Sequence, residues 1–89
     1  MQTIRLIVKG KVQGVFYRAF VKDLALQLGI TGWVKNLPDK NVEIQATSSE
    51  EVLKTFIGRC RQGPPRALVA DIIIKEMQTE QLDDFRIMR

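Results

Sequence analysis

Hydrophobic positions along this chain follow two periods. From Thr3 to Lys9, Ile4, Leu6 and Val8 alternate with Arg5 and Lys9, the period of two expected of a half-buried strand. From Tyr17 to Leu28 the spacing lengthens. Phe20, Val21, Leu24 and Leu28 share one side of a helix, and Gly29 suits the left-handed residue that ends it. TGWVKN then reads as a short strand. LPDKN turns the chain, because Pro38 drives Leu37 extended and Asp39 with Asn41 supplies turn chemistry. VEIQAT resumes the alternation, so these two strands are expected to pair as a hairpin. Ser48 with Glu51 three residues on predicts a capping box for a second helix, whose buried stripe is Val52, Leu53, Phe56, Ile57 and Cys60. That helix is expected to stop near Gly63. The breaker GPP separates it from the strand ALVADIIIKEM, and a last short strand carries Phe85 and Ile87 in alternation.

The order is β-α-β-β-α-β plus a terminal strand. It predicts an α+β ferredoxin-like sandwich with two helices on one face of an antiparallel sheet, since right-handed crossovers bring the first and third strands side by side in the centre. A length of 89 residues, 45% of them hydrophobic, is the size of one domain with one core. No repeat, linker or low-complexity tract divides it. The fold alone names no function.

Composition narrows the chemistry. The 14 Lys and Arg against 10 Asp and Glu give a net charge of +4, which favours an anionic partner without choosing among nucleic acid, membrane and phosphate. The lone Cys60 has no internal disulfide partner, and Arg5 and Lys9 interrupt what would have to be the apolar run of a signal peptide. No apolar run approaches the ~20 residues needed to cross a bilayer. These features predict a cytoplasmic protein away from the membrane, and nothing in them demands more than a monomer. The absence of histidine removes Ser-His triads, His-ligated zinc and the usual neutral-pH proton shuttle. Glu50 and Glu51 suit a helix start and Asp83 and Asp84 a solvated turn, so no metal site is expected.

One stretch is out of place electrostatically. In GKVQGVFYR, Arg18 falls in the first turn of the first helix, where the positive end of the helix dipole disfavours a cation by ~0.3–1 kcal/mol. An anion would reconcile the two. Gly10 and Gly14 allow a loop whose N–H groups from Gln13 to Phe16 converge on a phosphate, with Arg18 adding a planar fork of two donors. The alternative is a plain strand-to-helix turn with Arg18 on a solvated face. Asn36, at the end of the second strand, also has two readings: it bonds its own backbone, as asparagines there usually do, or its amide orients a water beside the loop. Phe16 and Tyr17 are expected as core or loop anchors rather than base-stacking groups, which an RNA-binding sheet presents from central strands. Trp33 beside Lys35 is expected to pack half-buried.

The residues as they stand resemble the acylphosphatase family. GKVQGVFYR matches that family's first signature, Gly-x-Val-Gln-Gly-Val-x-Phe/Tyr-Arg, at every specified position, and GWVKN resembles the opening of the second. Similarity continues through NLPD, VE and GPP. Two departures stand where the family usually has glycine, at Lys40 and Ser48. Asn41 is expected to take the left-handed conformation that Lys40 disfavours, and Ser48 to serve as the helix cap. The resemblance implies hydrolysis of the carboxyl-phosphate bond of small acyl phosphates without metal, cofactor or covalent intermediate. It implies that Arg18 binds the phosphate, that Asn36 positions the attacking water, and that the amides of Gln13, Gly14, Val15, Phe16 and Tyr17 complete the cradle.

Two other readings compete with a stand-alone enzyme. One is a non-catalytic ferredoxin-like module that holds RNA or a phosphorylated ligand; the +4 charge favours it, and the lack of a clustered basic tract or strand aromatics opposes it. The other is a domain of a larger maturation enzyme, which a chain of 89 residues beginning at Met1 does not suggest.

Overall fold

Ile4, Leu6 and Val8 lie on one face of strand β1 (Gln2–Lys11), almost wholly removed from water, as their alternation requires. The computed structural model describes residues 1–80 and 82–88. Helix α1 (Tyr17–Leu28) follows, then β2 (Thr31–Asn36), β3 (Val42–Ser48), α2 (Glu50–Gln62), β4 (Leu68–Met77) and β5 (Phe85–Met88). The strands form one five-stranded sheet in the order β4-β1-β3-β2-β5. β1 pairs antiparallel with both β3 and β4, and β2 with β3, so the crossovers do set the first and third strands side by side. β5 joins β2 in parallel, which makes the sheet mixed at that edge. This is the ferredoxin-like βαββαβ arrangement with one added strand.

Both helices cover the same face. α1 packs over β2 and β5, and α2 over β3 and β4. The core between them joins Leu6, Val8, Val34, Val42 and Ile44 of the sheet to Val21 and Leu24 of α1 and Leu53, Phe56 and Cys60 of α2. Each fully buried aliphatic or aromatic side chain contributes roughly 1.5–3 kcal/mol. The buried stripe of α1 is Tyr17, Val21, Leu24 and Ala25, while Phe20 and Leu28 are only partly buried. Tyr17 can enter the core because its hydroxyl donates to the Cys60 carbonyl at 2.9 Å.

Three local expectations are corrected. The cap of α2 is Ser49, whose hydroxyl oxygen accepts from the Val52 N–H at 3.3 Å. Ser48 is buried as the last residue of β3, paired with Gln2, so the helix starts one residue later and the spacing of a capping box to Glu51 is lost. In the β2–β3 hairpin Lys40 itself takes the left-handed conformation, with φ of 73°. Asn41 instead donates its backbone and side-chain N–H groups to the two oxygens of Asp39, at 3.1 and 3.0 Å, and its carbonyl accepts from the Leu37 N–H. Those three bonds hold Asn41 and leave the strained position to its neighbour. Among the described residues, no helix is long and apolar enough to cross a membrane.

Candidate active site

The path from β1 to α1 is pinned from below. Val12 and Val15 point into the core and are nearly inaccessible. Gly14 (φ 73°) and Phe16 (φ 65°) take left-handed backbone, so inward anchors alternate with left-handed turns. That alternation is the one found in nests, where successive N–H groups turn toward a single concavity that suits an anion. Among the described residues, no backbone carbonyl accepts from the N–H of Gln13, Gly14, Val15 or Phe16. The first bond of α1 runs from the Phe20 N–H to the Phe16 carbonyl at 3.1 Å, and the helix has no side-chain cap, so its first-turn amides are open too.

A hollow of about 310 Å³ opens above this loop. Gly14, Phe16, Tyr17 and Arg18 line it from the loop and the first turn of α1, and Asn36 lines it from the end of β2. The structure therefore brings the two candidate reacting groups to one concavity from elements that are distant in sequence. Arg18 is half-buried and forms no ion pair with a carboxylate among the described residues. The Asn36 side-chain oxygen is sealed from bulk solvent and has no hydrogen-bond donor among the described residues. A buried amide oxygen is almost always satisfied, and leaving one open costs ~1–3 kcal/mol. Its own backbone does not satisfy it.

The other expected cradle residues divide by role. Gln13 does not line the hollow; its side-chain amide donates to the carbonyls of Leu37 and Asn41, at 2.9 and 2.8 Å, clasping the loop to the hairpin. Val15 is an anchor. Tyr17 is a strut between the helices, and burial pushes its phenol well above the usual range, which keeps it neutral. Phe16, expected as an anchor, is 74% exposed. Gly10 belongs to the sheet and not to the concavity. The register of β1 against β4 shifts there, and a Cβ would strike the Leu68 carbonyl.

Val12, Ala19 and Ile87 complete the lining and were not singled out from the sequence. The alternation of Phe85 with Ile87 showed which way Ile87 would face, but not that β5 would lie beside β2. On the open face of the sheet, β1 and β3 carry no aromatic residue. Trp33 of β2 is half-buried there, covered by Arg5 and Lys35 at 5.7 and 5.2 Å from the ring centre. Among the described residues, no three of His, Cys, Asp and Glu come together as a metal-ligating group.

Comparison with known proteins gives a consistent result. A family model described as Acylphosphatase matches residues 4–87. An acylphosphatase of Methylococcus capsulatus is 41% identical over 90 residues, covering 100% of this chain and 98% of the relative. One from Marinobacter nauticus is 48% identical over 82 residues, covering 91% of this chain and 89% of the relative. The crystal structure of acylphosphatase from Bacillus subtilis superposes with a TM-score of 0.97 at 39% identity, covering 100% of both chains.

Proposed function

The chain belongs to the acylphosphatase family of hydrolases, and from that premise we propose how its own residues divide the work on a small acyl phosphate. Arg18 and the loop amides hold the phosphate, Asn36 positions the attacking water, and the carboxyl-phosphate bond is hydrolysed without metal or covalent intermediate. The observation that carries this reading is that Asn36, from the end of β2, lines the same hollow as Arg18, from the first turn of α1. An amide accepts a hydrogen bond with one end and donates with the other. A water held there has one proton fixed and its lone pair free to approach phosphorus.

The chemistry asks little more of the protein. The water oxygen forms a bond to phosphorus as the bond from phosphorus to the acyl oxygen breaks, releasing a carboxylate. A model carboxylic acid has a pKa of about 4.3, so this group departs without being protonated. The remaining proton passes to an oxygen of the phosphate itself. Charge on the equatorial phosphate oxygens is met by the Arg18 fork and the converging N–H groups, which are already oriented before reaction. The unfavourable placement of Arg18 at a helix start is then offset whenever the anion is bound.

Asn36→Ala is the direct test. Phosphate release from acetyl phosphate is expected to fall on the order of a hundredfold, while inorganic phosphate still competes for the cradle. Equal turnover in the variant would remove the water-positioning role. Added chelator is expected to leave the rate unchanged, and abolition of activity would overturn the metal-free course.

A further inference from the structure

The hollow is larger and more apolar than a phosphate and one water require. At ~30 Å³ per water molecule in the liquid, its volume of about 310 Å³ corresponds to roughly ten waters. Arg18, Asn36 and the Gly14 backbone form a polar wall. Opposing chemistry is provided by Phe16, Ala19 and Ile87.

Phe16 has no folding role that accounts for its side chain. Its backbone is left-handed, a conformation that a bulky residue adopts only at a cost of about 1–2 kcal/mol, and the residue is 74% exposed rather than buried in compensation. Glycine or asparagine would serve the backbone better. The signature that this stretch matches leaves the position open. Strain retained without a packing return points to a functional surface.

Ile87 makes a second, independent observation. It pairs with Val34, which is fully buried, yet Ile87 is 39% exposed on the helix-facing side of β5, because the hollow takes the place of a covering side chain. Two large apolar groups from opposite ends of the chain thus stand uncovered at one mouth.

We propose that Phe16 and Ile87 form an acyl subsite, one that selects acyl phosphates with a branched or aromatic apolar body over acetyl and carbamoyl phosphate. This rests on the reading of Arg18 and Asn36 as the phosphate and water sites. With the phosphate in the cradle, the acyl group extends along the apolar wall, and burial of its hydrocarbon tightens binding beyond what the phosphate supplies. Phe16 and Ile87 are specificity-determining residues, not catalytic ones, since they offer no group to the reacting atoms.

The test compares isovaleryl and acetyl phosphate, whose leaving carboxylates are nearly equal in basicity, so that their ratio of kcat/KM reports binding of the acyl body. The enzymes are the unaltered protein, Phe16→Asn, which tolerates the left-handed backbone without the ring, and Ile87→Thr, which keeps a branched strand residue. In each variant the isovaleryl-to-acetyl ratio is expected to fall about tenfold, chiefly through a higher KM for isovaleryl phosphate. If both variants turn over both substrates with the ratio within about twofold of the unaltered enzyme, the subsite is overturned while the phosphate and water assignments stand. If the unaltered enzyme releases phosphate from neither compound, the underlying reading falls and the subsite with it.

Discussion

The side-chain amide of Gln13 donates to the Leu37 carbonyl at 2.9 Å, tying the loop that precedes α1 to the residue that follows Asn36. A second bond, to the Asn41 carbonyl, closes the clasp. Gln13 thus ties the loop that leads to Arg18 to the strand end that carries Asn36 without entering the hollow; on the proposed division of roles it holds the phosphate and water sites in register. For Gln13→Ala, kcat is expected to fall about tenfold to a hundredfold, as small misplacements of reacting groups do. Competitive inhibition by inorganic phosphate should move much less, because it reads the cradle alone. Equal losses in the two measurements would assign Gln13 to the cradle instead.

Arg18→Lys retains the charge and loses the planar fork. Charge-assisted hydrogen bonds contribute ~1.5–3 kcal/mol, so kcat/KM for acetyl phosphate is expected to drop at least about tenfold. Steady-state kinetics on the purified variant check this, and an unchanged value would show that a point charge suffices.

Lys40 occupies a left-handed position with its side chain in water. That conformation costs a non-glycine residue ~1–2 kcal/mol, whereas glycine gives back ~0.5–1 kcal/mol through its freer unfolded chain. Lys40→Gly should therefore stabilise the protein by about 0.5–1 kcal/mol, seen as a higher urea midpoint at constant slope. A lower midpoint would mean that the lysine makes a contact worth more than its strain.

Stability should decline in alkali. Burial raises the Cys60 thiol from 9.0 to about 12, and burial also lifts the Tyr17 phenol upward from 10.0. The unfolded chain therefore releases these protons before the folded one does. Stability is complete below pH 9 and is lost progressively as the pH climbs toward 12. Urea unfolding across that range should show the fall. Cys60→Ala should flatten its lower part while lowering the neutral plateau through the cavity it leaves. A slope unchanged by the substitution would assign the decline to Tyr17 and other groups.

Much of this molecule was determined by its sequence. The periods of two and 3.6 located β1, β3, β5 and both helices, because burying one face of each element demands that spacing, whereas β2 and β4 were read from the turn and the breaker that bound them. GKVQGVFYR raised the expectation of an anion site through a charge that contradicts its helix, and that contradiction is local enough to read from spacing. Only the tertiary structure decided which side chains do what. Gln13 sits in the signature, yet its bonds go to carbonyls of the hairpin, more than twenty residues away. Phe16 looked like an anchor until the valines on either side of Gly14 were seen to fill that role. Ile87 reached the hollow through parallel pairing of β5 with β2. Asn36 was a candidate from the sequence, but only the fold set it on the same hollow as Arg18. Alternation and capping are governed by neighbours along the chain, whereas enclosure and partnership depend on elements that only folding brings into contact.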